Sequence, residues 1–403
     1  MGAGEVAMTS SAKQERPLRI GVNALQIQPG RALSVGIYLR SLLEGVARVD
    51  AHNEYLIFVS PGTAGRFDLG RPNLREVVCK GTGVGRPVRI LYEQAVLPRV
   101  LRRLGVDVLF SPENSAPLRL PCRSVLGLQM MMMFTMPECF PRSKRGYFRY
   151  IMRRAAPRAD RVVCVSASIA KEAQQYLGVP PSKTTVIHEA PAPCFRPMPL
   201  GEAQGIVESK YSIGGDYFLA VATMAPYKNL LRIVEAYAKA RKTHGVAEAL
   251  VVAGGEGEWP GYRQQVLSAV EREGVAESVR FIGQVPQEDL LPLYSAAVAL
   301  VFPSLCESFG LPVVEAMACG CPVITSNYSC LPETAGGAAL LVDPFSSDSI
   351  AAGIASVASS PSLQRDLRQR GLARAARLSW EDCGRRLVTV FQQVCGVADR
   401  PGI

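Results

Sequence analysis

A chain of 403 residues, 48% hydrophobic and 20% charged, is long enough to bury two substantial cores. Its eleven cysteines are odd in number and include no C-x-x-C pair, which argues against a disulfide framework or a structural zinc site and fits reduced thiols in a cytoplasmic setting. The net charge of +10 is uneven: residues 1–200 carry 28 Lys and Arg against 14 Asp and Glu, residues 201–403 carry 17 against 21, so the first half is expected to meet something anionic.

Residues 1–16 are polar, lack the apolar centre of a secretory leader and read as a loose tail. Over residues 17–197 short apolar runs alternate with helical periodicity. Leu18–Ala24 is expected as a strand, Ile37–Val46 as a helix, Tyr55–Val59 as a strand, Leu91–Leu104 as a helix, and Val106–Ser111, Ser124–Leu128 and Arg161–Ser166 as strands before a helix over Ala167–Leu177. The longest apolar stretch, around Ser124–Met136, is broken by Gln129 and falls short of the ~20 residues that span a bilayer.

Residues 198–210 lose this periodicity, gain Gly and charge, and read as an interdomain linker. Over residues 211–378 the alternation resumes, with strands expected at Tyr217–Ala222, Ala249–Ala253, Val279–Ile282, Val298–Phe302, Pro322–Ser326 and Ala339–Val342. The helices between them are Leu230–Lys242, Gln264–Glu273, Asp289–Ala296 and Pro312–Cys319. Strand-helix alternation of this kind predicts an α/β fold of two parallel-sheet domains in tandem, with ligands in the cleft at the carboxyl ends of the strands.

The segment Glu307-Ser-Phe-Gly-Leu-Pro-Val-Val-Glu315 joins such a strand to a helix. Gly310 lets the backbone approach a ligand, and Pro312 suits a first helical turn, where its missing N–H costs nothing. Backbone amides at that helix start can hold an anion or sugar hydroxyls, while Glu307 in the loop and Glu315 one turn into the helix can accept hydrogen bonds from opposite ends of one ligand. On spacing alone, two glutamates eight apart would equally describe a solvated helix face.

The surrounding residues go further. Val301-Phe-Pro-Ser304, the Glu307–Glu315 segment, Ala316-Met-Ala-Cys-Gly-Cys-Pro322 and Leu331-Pro-Glu-Thr334 together closely resemble family-4 glycosyltransferases, retaining enzymes of the GT-B fold with two Rossmann-like domains. The resemblance covers nearly the whole C-terminal half and, more loosely, the N-terminal half, which it makes the acceptor-binding domain. It implies Glu315 on the ribose of a nucleotide-sugar donor, Glu307 near the donor hexose, backbone amides of Phe309 and Gly310 on the sugar or its phosphate, and Thr334 in a loop that approaches the diphosphate. Ser304 is expected to pack or cap. Lys228, in Ala222-Thr-Met-Ala-Pro-Tyr-Lys-Asn229, would neutralise the leaving diphosphate. Relatives often carry an arginine nearby; here Thr223 and Tyr227 stand in that stretch, leaving Arg31 or another residue to supply the charge. The loops Ala253-Gly-Gly255 and Gly283-Gln-Val-Pro286 would hold the base through backbone near Val285, and Gly30 to Gly36 resembles the first loop that approaches donor phosphates and acceptor.

Ser124–Met133 departs from the family pattern, carrying Gln129 and Met130 where a His-Asp pair usually points into the cleft; Gln129 would offer an amide to a sugar hydroxyl or acceptor instead. His52, His188 and His244 are not substitutes for that histidine. In a retaining front-face transfer the departing phosphate oxygen takes the acceptor's proton, so Glu307, Lys228 and Gln129 would act by orientation and charge, without metal or cofactor beyond the donor. Glu93 and Gln94 lie in a Tyr-Glu-Gln sequence common in polysaccharide-assembly members, although capping or packing explains them equally. The helix of residues 379–396 would cross back to brace the first domain, with Trp380 as its anchor.

Arg142–Arg154 combines cations with Tyr147, Phe148, Tyr150, Ile151 and Met152; it is expected either to pack as a surface helix or to dock on an anionic membrane, with Met131–Phe134 adding apolar contact. The sequence thus points to a metal-independent hexosyltransferase, with mannose as the expected sugar and a UDP- or GDP-linked donor. The acceptor is a lipid-linked or growing glycan, and the setting is cytoplasmic and peripheral to the membrane. A catalytically weak nucleotide-sugar-binding partner of an assembly complex is the alternative. Nucleic-acid binding is set aside for want of a stacking motif, zinc spacing or recognition-helix module.

Overall fold

The structure is a computed structural model and describes residues 16–27, 33–83, 85–257 and 259–397. Seven strands form the first sheet: β1 (Arg19–Asn23), β2 (Glu54–Val59), β3 (Leu74–Val78), β4 (Val108–Ser111), β5 (Arg123–Leu128), β6 (Arg161–Cys164) and β7 (Thr184–Val186), in the order 3-2-1-4-5-6-7. Six form the second: β8 (Tyr217–Val221), β9 (Ala249–Ala253), β10 (Val279–Gly283), β11 (Ala299–Phe302), β12 (Val323–Ser326) and β13 (Leu340–Val342), in the order 10-9-8-11-12-13. Every pairing between neighbouring strands is parallel. Helices cover both faces, which is why the central strands are mostly apolar: β4, β11 and β12 are buried at every position, with only Ser111, Thr325 and Ser326 polar among them. The architecture is therefore the double Rossmann-like one that the alternation predicts.

In both sheets the strand order reverses next to the first strand, between β1 and β4 and between β8 and β11. The chain leaves those neighbours in opposite directions, so a crevice opens at their carboxyl ends, the usual ligand position in open α/β sheets. Lys228 follows β8 and Glu307 follows β11, which places both on the second crevice.

The structure departs from the sequence reading in several places, among them the unanticipated helices Ser347–Ser359 and Pro361–Ala375. Residues 198–210, expected as a linker, are mostly the helix Leu200–Tyr211. Its buried Ala203 and Val207 are one turn apart, and Lys210 and Tyr211 bond Asp289 at 2.6 and 2.7 Å; Gly201 and Gly205 dilute the apolar period that would have announced it. Arg16, placed in the tail, forks onto Asp107 at 2.9 and 2.6 Å. The short strands β3 and β7 were not anticipated, and the helix expected from Leu91 starts at Arg86 and passes through a π turn at Tyr92–Val96 ahead of Pro98, which has no N–H to donate.

The last helix, Trp380–Cys395, lies on the first domain against helix Leu33–Val49. Gly45 and Gly384 permit the crossing: a Cβ on Gly384 would lie 2.6 Å from the Gly45 carbonyl carbon. Trp380 meets Tyr38 edge-on at 5.9 Å, and Phe391 meets Phe110 at the same distance, so the helix completes the first domain's core.

Candidate active site

Lys228 ends a one-turn 3-10 segment, Pro226–Lys228, after β8. The next residue, Asn229, holds the left-handed conformation (φ 65°) and donates its amide to the carbonyls of Pro303 (3.0 Å) and Pro344 (2.8 Å), tying together the loops that follow β8, β11 and β13. That brace aims Lys228 at Glu307, with Nζ to Oε1 at 2.6 Å and side chains only 15% and 12% exposed. The ammonium also lies 5.0 Å from the Phe302 ring centre and 5.5 Å from that of Tyr227. Burial pulls the lysine pKa down, but the charge of Glu307 outweighs it and the net shift is upward, so the cation is kept. A fixed positive charge at the carboxyl ends of β8 and β11 suits a diphosphate.

Glu307 is held from below: its backbone N–H donates to Ser329 Oγ at 3.3 Å, and its carbonyl accepts from Ser329 Oγ at 3.1 Å and Cys330 Sγ at 3.3 Å. Gly310 begins the helix Leu311–Ala318 with φ 93°, and a Cβ there would lie 2.7 Å from Leu331 Cδ2, so both conformation and space require glycine. Glu315, one turn in, accepts from the Tyr294 hydroxyl at 3.2 Å; burial pushes its carboxyl up to about 7, partly offset by that hydroxyl.

Other expected residues take supporting places. The Phe309 ring is 1% exposed and stacks on His188 at 5.6 Å. Thr334, expected near the diphosphate, is fully buried with its hydroxyl donated to the carbonyls of Phe309 and Cys330, so it holds the Phe309 segment and offers no free donor to a ligand. Ser304 is fully buried with Oγ lacking a partner, which fits packing. Val285 sits beyond β10, packed partly buried against the second domain's core. Gly30 and Arg31 lie outside the described residues. Among the described residues no three His, Cys, Asp or Glu are grouped to hold a metal ion.

Across the cleft, the Gln129 and Met130 backbone amides donate to Asn114 Oδ1 at 3.0 and 3.2 Å, while the Gln129 side-chain nitrogen is buried without a well-formed hydrogen bond. Gln94 staples the loop at Ala116 and Leu118, and Glu93 is buried in a pair with Arg89 at 3.3 Å; both serve the scaffold. The sequence reading missed what joins the domains. Glu333 sits at the start of helix Ala167–Leu177, accepting from the Ala167 and Ser168 amides (2.7, 3.0 and 3.3 Å), and bonds His188 Nε2 at 2.6 Å; Ser166 Oγ donates to the Ser308 carbonyl at 2.8 Å. Two strand ends of the first sheet are thereby fastened to the Glu307–Glu315 segment. Glu333 and Ser308 fall inside patterns the sequence displays, but their pairing with Ser166, Ala167, Ser168 and His188 emerges only where the domains meet.

Comparison with known proteins gives this geometry its context. Residues 35–190 match the family model described as Glycosyltransferase Family 4, and residues 209–374 match that of Glycosyl transferases group 1. The chain is 30% identical to the O-antigen chain mannosyltransferase B of Escherichia coli over 326 residues, covering 78% of this chain and 84% of that one. The chain belongs to glycosyltransferase family 4. This glycosyltransferase shares its fold with the sucrose-phosphate synthase of Thermosynechococcus elongatus (TM-score 0.74, 19% identity, 94% of this chain and 99% of that one). It shares it also with Anabaena HepE, solved in complex with UDP and glucose (TM-score 0.70, 15% identity, 93% of this chain and 100% of that one).

Proposed function

We propose that this glycosyltransferase moves a mannosyl residue from a nucleotide-sugar donor to a lipid-linked or growing glycan acceptor in polysaccharide synthesis, with retention of configuration and without a metal ion. The observation that carries the reading is the buried Lys228–Glu307 pair at the β8/β11 crevice, with Glu315 one turn into the adjoining helix. Lys228 would stabilise charge on the departing diphosphate, Glu315 would accept from the ribose, and Glu307 would leave its lysine to orient a hexose hydroxyl. The departing phosphate oxygen takes the proton of the attacking hydroxyl as the new glycosidic bond forms on the same face of the sugar. The mannosyltransferase relative supports the sugar, and the UDP-bound neighbour supports a nucleotide-linked donor.

The test is a thermal-shift screen of the purified protein against UDP-, GDP- and ADP-sugars, followed by transfer to a mannosylated acceptor with the product anomer assigned by NMR, with and without EDTA. An inverted product, or activity lost in EDTA and restored by a divalent ion, overturns the mechanism. Donor binding without transfer or hydrolysis favours a nucleotide-sugar-binding partner, the reading prompted by Gln129.

We also propose that the first domain rests on an anionic membrane surface through helix Arg142–Ala155. Ile151, Met152 and Ala155 face the core, while Arg142, Arg145, Arg149, Tyr150, Arg153 and Arg154 line a surface hollow of ≈ 450 Å³. Arg149 and Arg153 both lie 5.3 Å over Phe134. Met131–Phe134 are buried, at 8% exposure or less, so they supply no insertion wedge and the attachment would be electrostatic. At ~1 kcal/mol per basic residue near such a surface, co-sedimentation with anionic vesicles should exceed that with neutral vesicles and fade with salt. Among the described residues no helix is long and apolar enough to cross a membrane.

A further inference from the structure

Glu189 follows β7 and is 8% exposed, yet among the described residues no hydrogen bond or ion pair reaches its carboxyl group. Its backbone is fixed by the preceding residue: His188 bonds Glu333 at 2.6 Å, stacks on Phe309 at 5.6 Å, and accepts from Cys383 Sγ through its carbonyl at 2.9 Å. Glu189 is therefore pinned beside the Phe309–Gly310 segment. Two other polar groups of the first domain come to the same place. Tyr38, on helix Leu33–Val49, is close enough for its hydroxyl to feel both Glu189 and the Gln129 amide, and the Gln129 nitrogen is itself buried without a well-formed bond. Three separate elements thus bring Glu189, Tyr38 and Gln129 to one wall, opposite the crevice that holds Lys228 and Glu307.

A carboxyl group on a cleft wall with no protein partner among the described residues is available to a ligand, and titratable groups perturbed by burial and neighbouring charge cluster at ligand sites. We propose that Glu189, with Gln129 beside it, is a specificity-determining contact to a hydroxyl of the donor hexose; this rests on the nucleotide-sugar reading above. Glu315 and Glu307 from the second domain act on Glu189, whose own charge is felt by Tyr38 on the first helix and Cys383 on the last. Burial and the two neighbouring carboxylates push its pKa up to about 8, so at neutral pH it is a carboxylic acid with one donor and one acceptor, the complement a sugar hydroxyl requires. Above that pH it ionises, and three carboxylates then face one ammonium, a poor setting for an anionic donor.

The test compares wild type, Glu189→Gln and Glu189→Ala for binding of GDP-mannose, UDP-glucose and the free nucleotides GDP and UDP by calorimetry from pH 6 to pH 9. Expected is a loss of about tenfold in affinity for the preferred nucleotide sugar in Glu189→Ala, the worth of one buried hydrogen bond, with free nucleotide unchanged. Glu189→Gln should bind the sugar nucleotide as wild type does at pH 7, and should lack the wild-type decline above pH 8. Unaltered affinity in Glu189→Ala, or an equal loss for free nucleotide and nucleotide sugar, overturns the assignment. Wild-type protein that binds no nucleotide at all sinks the donor reading itself, a separate outcome. An unfolding midpoint of Glu189→Ala at or above that of wild type shows that the fold is intact.

Discussion

At the scale of single residues, Lys228 and Glu315 make opposite demands on the protein. Lys228→Ala removes a buried cation of the crevice while leaving Glu307 without its lysine; kcat should fall by roughly 10²–10³, the usual size of losing one charge-stabilising donor, as read by nucleotide release. Glu315 is held as an acid that resists ionisation, mainly by burial. Its folded pKa lies above that of the unfolded chain, so the stability linked to its proton is full below the ordinary carboxylate range and is lost as pH rises to about 7. Glu315→Gln should therefore raise the melting midpoint of the ligand-free protein at pH 8, leave it unchanged near pH 4, and weaken stabilisation by nucleotide. A midpoint at pH 8 that does not rise would refute that account. Lys228, Glu307 and Glu315 could be named from the sequence because two separate strand-to-helix junctions, Ala222–Asn229 and Glu307–Glu315, each resemble a family pattern; spacing alone would not have singled them out. Glu189 could not, and the role of Glu333, although it stands in the Leu331–Thr334 pattern, could not either, since both acids acquire their meaning only where the domains meet.

At the scale of elements, the turn into helix Leu311–Ala318 carries the most information per residue. Gly310→Ala places a Cβ against Leu331 at φ 93°; the variant should lose ~1–3 kcal/mol in urea unfolding and bind the donor more weakly, because the helix start that faces the crevice must shift. Unchanged stability would mean that the turn relaxes freely. Strands with both faces covered announce themselves as apolar runs, and β8, β9, β11 and β12 were readable to within two residues. The edge strand β3, Leu-Arg-Glu-Val-Val, buries only Leu74, and β7 is three residues long with none fully buried; neither makes a pattern. Helix Leu200–Tyr211 escaped for a related reason: two glycines and a narrow buried stripe leave the period too faint, and its partner helix Gln287–Ala296 lies far along the chain.

At the scale of the whole molecule, Phe309 and Val314 of the second domain pack into the first domain's core, and polar contacts centred on Glu333 fasten the same seam. Burial alone would raise its pKa, but the His188 bond and the helix-start amides outweigh it and the net shift is downward. Its contribution is thus present above the ordinary carboxylate range and is lost as pH falls through the depressed value. Glu333→Gln should widen the particle in small-angle scattering at neutral pH and abolish the acid-induced widening that wild type shows; identical curves for both proteins would reject the clasp. The cleft could be inferred from the tandem sheets, but its closure could not, because the clasp residues lie on separate segments and acquire their partners only when the domains meet. The return of helix Trp380–Cys395 has a mechanical consequence as well. Arg16, bonded to Asp107, and Val397, packed at the first domain's core, both belong to the same body, and the second domain is strung between them as an insertion. A pull exerted between Arg16 and Val397 therefore loads β1 and the last helix first, and reaches the second domain only once one of them has left the first domain.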